Sequence, residues 1–393
     1  MTILLGTCIS YLSQAQAKPK ADPRRQSALQ LEQQGKLDDA RAIWEALNKA
    51  NPRNSEPLAH LGLIASHQQR YEEAIPYYQK VLALAPNMQA ARIDLALALF
   101  KSGHPKEAIP EFQKLIKASP KGSSQELRFT ILTGMAYYAL ADYIHAAPYL
   151  KTATERDKTN LPLRLALAHS YLWTKQLQAL MDVYHEILEL DPNSAEADML
   201  AGEALDEMKD NAGATEMFRA AVKANPKTPN AHFGLGYLLW SQKKYPEAAS
   251  ELQAEIDNDP DHVQSLMYLA DANIQMNKID EAKLLLVRAL KLDSAQPLAH
   301  LDLGIVYAEL NQNEDALREL LIAEKMIPDD VNVHWRLGRL YRALGHKDEA
   351  KVEFDKANNL NKKADEDLYK KIADGAKRPQ PTDTAAPQAP PTQ

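Results

Sequence analysis

Short amphipathic stretches recur along the chain every 34 residues, and residues 229–262 are their clearest copy. The first half places His232, Leu235, Gly236 and Leu239 at i, i+3, i+4 and i+7, which is one face of an α-helix. The second half continues at helical spacing and closes near a proline, which cannot continue a helix. The stretch therefore predicts two short helices joined by a tight polar turn.

The recurrence is clearest at four positions, numbered so that Pro229 is position 1 of its repeat. Position 8 is always small: Gly62, Ala96, Gly134, Ala168, Gly202, Gly236, Ala270, Gly304 and Gly338. Position 20 is alanine in nine of ten copies, position 24 is always bulky, and position 32 is usually proline. Small residues at positions 8 and 20 let two antiparallel helices approach closely, and the large residue at position 24 fills the space beside them.

This pattern resembles the tetratricopeptide repeat, in about ten copies that cover residues 21–362. The resemblance implies an all-α fold, a right-handed α-solenoid of antiparallel helix pairs. It also implies that the first helix of each repeat lines a concave groove through positions 2, 5, 9, 12 and 13. We call the side chains at these positions the inner face.

The two ends of the chain depart from the repeat. Residues 1–17 resemble a secretory signal peptide with a cleavage site after Ala17, although basic residues before the apolar run are missing and an upstream start codon would be needed to supply them. Lipidation of Cys8 is the minority alternative. We therefore expect an exported protein, periplasmic or envelope-associated and of bacterial origin, with a cytoplasmic location as the alternative.

Three further segments complete the predicted organisation. Residues 18–22 are a polar leader, and 376–393 form a proline-rich tail that is expected to be disordered. Residues 363–375 are expected to form a C-terminal capping helix, with Ala364, Leu368 and Ile372 on one face. A longer connection at residues 122–126 is either a slight hinge or, as we favour, a tolerated surface insertion.

Composition narrows the possible functions. The chain has 46 Lys and Arg against 53 Asp and Glu, a net charge of −7, which argues against a nucleic-acid-binding surface. The single cysteine excludes an intrachain disulfide and a thiolate metal site. No apolar run is long enough to predict a transmembrane span.

No catalytic, cofactor or metal motif emerges from the sequence. Gly234 and Gly236 form a lone G-x-G within a helix, and no strand precedes it. His232, His300 and His334 share position 4, but they belong to separate repeats, whereas metal ligands must converge on one ion. We expect these histidines to pack between repeats, and we expect the protein not to be an enzyme.

The inner face is rich in aromatic and methionine side chains, which are enriched at recognition surfaces. The alternative is that these side chains pack in the core. The predicted groove residues are Phe100, Tyr138, His169, Trp173, Met199, Phe233, Tyr237, Trp240, Met267, Trp335 and Arg339. In the sixth repeat the inner face is acidic, with Glu196, Glu203, Asp206 and Glu207 as either a patch for a basic partner or a solvated surface.

These features predict a non-catalytic scaffold that binds a peptide or protein segment in its groove. The alternative is a repeat or regulatory subunit of an enzyme complex, such as a glycosyltransferase, or of polysaccharide-export and envelope-assembly machinery. The sequence does not identify the partner or the oligomeric state.

Overall fold

The structure, a computed structural model, describes residues 22–376. The predicted signal peptide and leader, up to residue 21, and the tail beyond residue 376 lie outside the described residues. Residues 22–376 form twenty α-helices and no strand, which confirms the all-α fold and gives ten helix pairs for the ten predicted repeats. No helix in this range combines the length and the apolar character that crossing a membrane requires.

The chain divides into two compact units, Met1–Ala224 and Asn225–Gln393. The first unit contains twelve of the helices: α1 (Pro23–Gln33), α2 (Leu37–Ala50), α3 (Ser55–His67), α4 (Tyr71–Leu84), α5 (Gln89–Lys101), α6 (Pro105–Ala118), α7 (Ser124–Ala139), α8 (Tyr143–Arg156), α9 (Leu161–Trp173), α10 (Leu177–Leu190), α11 (Ala195–Glu207) and α12 (Asn211–Ala224).

The second unit contains the remaining eight helices: α13 (Ala231–Ser241), α14 (Tyr245–Asn258), α15 (Val263–Gln275), α16 (Ile279–Leu292), α17 (Pro297–Glu309), α18 (Asn313–Met326), α19 (Val331–Ala343) and α20 (Lys347–Ala376). Within each unit, odd-numbered helices are the first helices of the repeats and even-numbered helices are the second. Within each unit, each helix packs against the next, and in the second unit the first helices α13, α15, α17 and α19 also contact one another in order.

The close approach predicted between positions 8 and 24 is present in the structure. A Cβ atom added at Gly236 would lie 2.8 Å from Leu252 Cγ, and one added at Gly338 would lie 2.8 Å from the Phe354 ring. Leu252 is fully buried. The small residue is therefore required by the packing of its own helix pair.

The turn between the two helices of each repeat depends on a left-handed residue at position 15, which the sequence pattern did not reveal. Its φ angle lies between 55° and 85° in all ten repeats: Gly35, Gln69, Gly103, Ala141, Lys175, Lys209, Lys243, Asn277, Asn311 and Gly345. Only three of these are glycine, which is why composition alone does not mark the turn.

The longer connection at residues 122–126 is a well-anchored N-terminal cap of α7. Ser123 Oγ accepts the backbone N–H of Glu126, and Glu126 Oε2 accepts the N–H of Gly122 at 2.6 Å. Arg156 donates to the carbonyl oxygens of Gly122 and Ser123. These bonds hold the insertion against α8, as expected of a surface insertion rather than a hinge. The boundary between the two units lies after Ala224.

The predicted capping helix is not a separate element. The structure continues α20 without a break from Lys347 to Ala376, and Ala364 is exposed. The side chains of Leu368 and Ile372 lie outside those described. Lysine-rich sequence at 362–363 does not stop a helix, because lysine is a good helix former.

Candidate partner-binding surface

In the first unit, the predicted groove residues of α7 and α9 form one aromatic cluster with Tyr143 of α8. The ring centroids of Tyr138 and His169 are 5.5 Å apart, and those of Tyr143 and Trp173 are 5.7 Å apart and stacked. Trp173 keeps 61% of its surface exposed. Tyr143 was missed by the sequence reasoning because it opens a second helix rather than a first.

His169 lies at the centre of this cluster. Trp173 Nε1 donates to His169 Nε2 at 3.3 Å, and His169 Nδ1 is buried without a partner among the described residues. Burial lowers the pKa of His169, because a charged imidazolium is poorly solvated there. The lowered pKa favours the uncharged form of the His169 ring. The aromatic cluster lies next to the acidic sixth repeat.

The acidic residues predicted in the sixth repeat lie beside the aromatic cluster. Burial raises the pKa of Tyr138, and the charges of Tyr143 and Glu196 raise it further, which shows that Glu196 is near this ring. The pKa of Glu203 is raised by desolvation and then by Glu207. Lys175 pairs with Glu207, so this pair already neutralises part of the patch.

Two predicted groove residues of the first unit belong mainly to the core. Met199 is only 7% exposed, so the prediction that it lines a binding surface is wrong. Phe100 is half-buried and packs edge-on against the core ring of Phe112, with centroids 6.2 Å apart. Position 5 in α11 and position 12 in α5 therefore face neighbouring helices more than solvent.

In the second unit, the predicted residues of α13 come together with Tyr268 of α15. The centroid of Tyr268 lies 5.3 Å from that of Tyr237 and 4.9 Å from that of Trp240, both edge-on. Phe233 stacks on Tyr237 at 6.3 Å. We call Phe233, Tyr237, Trp240 and Tyr268 the aromatic quartet; all four are half-buried.

A carboxylate is fixed at the edge of the aromatic quartet. Trp240 Nε1 donates to Asp271 Oδ2 at 2.5 Å across the two helices. The indole N–H is a donor only, so this bond orients Asp271 without neutralising its charge. The quartet thus combines ring faces with an ionisable group, although the sequence reasoning named only the rings.

Position 6 of the first helices, which the sequence reasoning omitted, holds several ionisable side chains of the inner face. In the second unit it is Tyr268, Asp302 and Arg336 in successive repeats. Burial and the nearby Asp271 raise the pKa of Asp302 to about 7, and Arg336 lowers it. Burial also lowers the pKa of Arg336. A signal was available: a charged residue recurs in the middle of otherwise apolar first helices.

The same position in the first unit is Asp94 of α5, where burial raises the pKa to about 6 and Arg128 lowers it. The carboxylates at position 6 therefore share one environment in both units. They are surrounded by protein, which penalises the ionised form.

The tenth repeat ends the inner face with exposed tryptophan and arginine. The guanidinium of Arg339 lies 4.9 Å from the Trp335 ring centroid, and that of Arg336 lies 5.7 Å from it. Trp335 is 45% exposed. By contrast, Met267 is half-buried and packs against the core around Leu286. Trp335 and Arg339 thus remain accessible, as predicted, and Met267 is mostly a packing residue.

The three histidines at position 4 each pair with a glutamate at position 23 of the same repeat. The Nδ1 atoms of His232, His300 and His334 lie 2.6 Å from a carboxylate oxygen of Glu251, Glu319 and Glu353, respectively. The polar partner comes from the second helix of the same repeat. His300 and His334 also bond the preceding repeat, through the carbonyl oxygens of Ser294 and Pro328, so these two histidines join the helices of one repeat and also link neighbouring repeats.

One of these pairs has a third potential metal ligand. The ligand atoms of Glu324, His334 and Glu353 lie within 4.8 Å of one another. Lys356 Nζ, however, lies 2.8 Å from an oxygen of each glutamate. Its ammonium group takes the position of a cation, so the arrangement is satisfied as an ion-pair cluster.

Comparisons with known proteins agree with this architecture. Two sequence profiles described as tetratricopeptide repeat match the chain, one at residues 26–89, 199–263, 268–321 and 301–357 and the other at residues 65–127. Together they cover more than half of the chain.

Curated relatives are distant. Anaphase-promoting complex subunit 3 of Schizosaccharomyces pombe is 25% identical over 50% of this chain and 30% of its own length. BBSome complex member BBS4 of Bos taurus is 23% identical over 63% of this chain and 49% of its own length. DnaJ protein P58IPK homolog A of Oryza sativa subsp. japonica is 22% identical over 81% of this chain and 65% of its own length. The chain spans less than half of the length of the first two.

Solved structures show a similar helical repeat. YrrB, described as a tetratricopeptide repeat protein with an unusual peptide-binding site, has a TM-score of 0.43 and 22% identity over 47% of this chain and 95% of its own. The Pseudomonas aeruginosa pilF structure has a TM-score of 0.44 and 20% identity over 51% of this chain and 90% of its own.

Proposed function

Because the chain belongs to the tetratricopeptide repeat family, whose repeats point to protein–protein interaction, we propose that it is a non-catalytic scaffold that binds a segment of a partner protein on its inner face. The segment is extended or helical, and it lies across successive first helices. The observation that carries the proposal is the aromatic quartet, four half-buried aromatic rings that contact one another across two neighbouring first helices.

The composition of the inner face supports this function. Tyrosine, tryptophan and arginine are the residues that dominate binding energy at interfaces, and here they lie on adjacent helices. Trp173 and Trp335 are exposed by 61% and 45%, so they expose large apolar surfaces to water. Burying such rings under a partner gains about 25 cal/mol per Å² of apolar area.

The experiment is selection of binders from a random peptide library on the purified chain. We expect the double variant Tyr237→Ala, Trp240→Ala to lose at least tenfold in affinity for the selected peptides. Tyr369→Ala is the matched control, since Tyr369 is 73% exposed on α20 and outside the quartet. Equal affinity for all three proteins would refute binding at the quartet.

A second function is favoured by the relatives. Two of them are described as members of multi-subunit complexes, so we propose as the alternative that this chain is a repeat subunit of an enzyme complex or of envelope-assembly machinery. The two functions differ in stoichiometry. A stable subunit would co-purify with fixed partners in constant ratio, whereas a peptide-binding scaffold would exchange its partners on washing.

We also propose that the protein is exported to the periplasm or envelope, because residues 1–17 have a short apolar run and an Ala-x-Ala motif before Lys18. Expression in a bacterial host with fractionation, followed by N-terminal sequencing, tests this. A mature N-terminus at Lys18 in the periplasmic fraction is the expected result, and an intact N-terminus in the cytoplasm would contradict it.

A further inference from the structure

The aromatic quartet and two carboxylates lie on neighbouring first helices of the second unit. Phe233, Tyr237 and Trp240 are on α13, Tyr268 and Asp271 are on α15, and Asp302 is on α17. These three helices contact one another in order. Ring faces with negative electrostatic potential are thus placed beside two ionisable acids on one surface.

Neither carboxylate is held in an ion pair, although the charge of Arg336 on α19 acts on Asp302 from a greater distance. Among the described residues, no lysine, arginine or histidine forms an ion pair with Asp271 or Asp302. Asp271 accepts from the neutral groups Trp240 Nε1, at 2.5 Å, and Gln275 Nε2, at 3.5 Å. For Asp302 the structure shows no hydrogen bond to another described side chain or backbone group. Carboxylates that are partly removed from water and form no ion pair are stabilised by a ligand that brings a positive charge into contact with them.

We propose that this surface binds a cationic side chain, an arginine or a lysine, of the partner segment. The proposal rests on the proposed function and names the chemistry of its partner. The cation lies against the ring faces of the quartet and donates hydrogen bonds to the carboxylates of Asp271 and Asp302.

The physical terms favour arginine over lysine. A cation over an aromatic face gains about 0.5–2 kcal/mol, depending on how far it is desolvated. Its charge-assisted hydrogen bonds are about twice as strong as neutral ones. A planar guanidinium can stack on a ring and still donate to two separate carboxylates, which a compact ammonium group does less well.

The adjacent tenth repeat predicts a second charged group in the partner segment. Arg336 and Arg339 lie on α19, next to α17. Neither forms an ion pair among the described residues, although the charges of Asp302 and Glu309 act on Arg336. Neighbouring helices are about 8–10 Å apart, and an extended chain advances about 3.3 Å per residue. The cation site is centred on α15, two such spacings from α19, so the preferred partner segment carries a carboxylate about five to six residues from its arginine.

The test uses the full chain and peptides selected from a random library. We expect arginine to be enriched in the selected peptides. Replacing that arginine by citrulline, which keeps the shape and removes the charge, should weaken binding at least tenfold. The variant Asp271→Asn, Asp302→Asn should bind the arginine peptide at least tenfold more weakly and show no difference between arginine and citrulline. Asp257→Asn, Asp261→Asn is the control with the same change in charge at exposed sites of the same unit.

The outcomes separate this proposal from the function on which it rests. Peptides that require Tyr237 and Trp240 but bind equally with citrulline would overturn the cationic site and leave the scaffold function intact. Peptides indifferent to the quartet would overturn both. If a chain shortened to residue 376 binds arginine peptides at least tenfold more tightly than the full chain, the occupant is the chain's own tail, and a cationic partner is refuted.

Discussion

Glu255 caps the helix that carries Phe233. Its carboxylate accepts the backbone N–H of Phe233 at 3.1 Å and that of Asn230 at 2.9 Å, although Glu255 lies on the second helix of the repeat. Asn230 precedes α13 in a left-handed conformation, with φ 64°, and its side chain does not cap the helix. A buried carboxylate, 2% exposed, thus replaces the local cap and fixes the start of the helix bearing the aromatic quartet.

Replacing Glu255 with alanine, which occupies the equivalent position of other repeats at Ala221, Ala289 and Ala323, should destabilise the second unit. Two backbone donors would lose their acceptor in a buried site, at a cost of about 2–3 kcal/mol. Urea unfolding followed by circular dichroism measures the loss, and amide hydrogen exchange should increase at residues 230–236. Glu247→Gln, an exposed residue in the first turn of α14, is the control. Unchanged stability of the alanine variant would show that the two hydrogen bonds of Glu255 do not stabilise the folded protein.

Replacing Gly236 with alanine should destabilise the same helix pair by about 1–3 kcal/mol. The added Cβ would lie 2.8 Å from Leu252 Cγ and 3.3 Å from the Leu252 backbone nitrogen, so the helices must separate. The double variant with Leu252→Ala should lose less than the sum of the two single changes, because the clash has been removed. Strict additivity in urea unfolding would contradict the contact.

Asp302 should make the stability of the second unit depend on pH. In the unfolded chain an aspartate ionises near pH 4, whereas burial in the folded protein raises the pKa of Asp302 to about 7. Between these values the folded state holds the extra proton, so stability falls as pH rises from about 4 to 7. The groups facing Asp302 are Asp271, which raises its pKa, and Arg336, which lowers it.

Replacing Asp302 with asparagine removes this dependence. We expect the variant to be more stable than the natural protein by about 1–3 kcal/mol at pH 8, and the difference should shrink towards pH 4. Thermal melting at pH 4.5, 6 and 8 measures it. Asp261→Asn, at an exposed position, is the control and should show no such trend. A constant difference across the pH range would contradict a raised pKa.

The repeat itself could be predicted from the sequence because its signal is steric and recurs at fixed spacing. Gly236 against Leu252 is one instance of a contact that ten copies must satisfy, so chance variation at one copy does not hide it. The left-handed turn residue was not predictable in the same way. Lys243 and Ala141 adopt positive φ in place of glycine, because the packed helices on either side impose the turn.

The candidate site was only partly predictable, because the sequence gives the face of a helix but not the surroundings of each side chain. Tyr237 and Trp240 keep part of their surface exposed, whereas Met199 at a comparable position is buried. Asp302 was missed, since a lone charge in a helix acquires meaning only when the neighbouring helix places Asp271 nearby. Glu255 likewise departed from the repeat pattern without a visible reason until its two backbone donors were located.

The histidine–glutamate clamp within the repeats has a genetic consequence. The ninth and tenth repeats join their helices by the same bond, His300 to Glu319 and His334 to Glu353, at the same spacing. An unequal crossover between these two repeats would pair a histidine from one with the glutamate of the other and recreate the bond in the hybrid. A repeat built from the first helix of one and the second helix of the other would therefore keep the bond that joins its two helices, so the spacing makes these two repeats interchangeable at this contact.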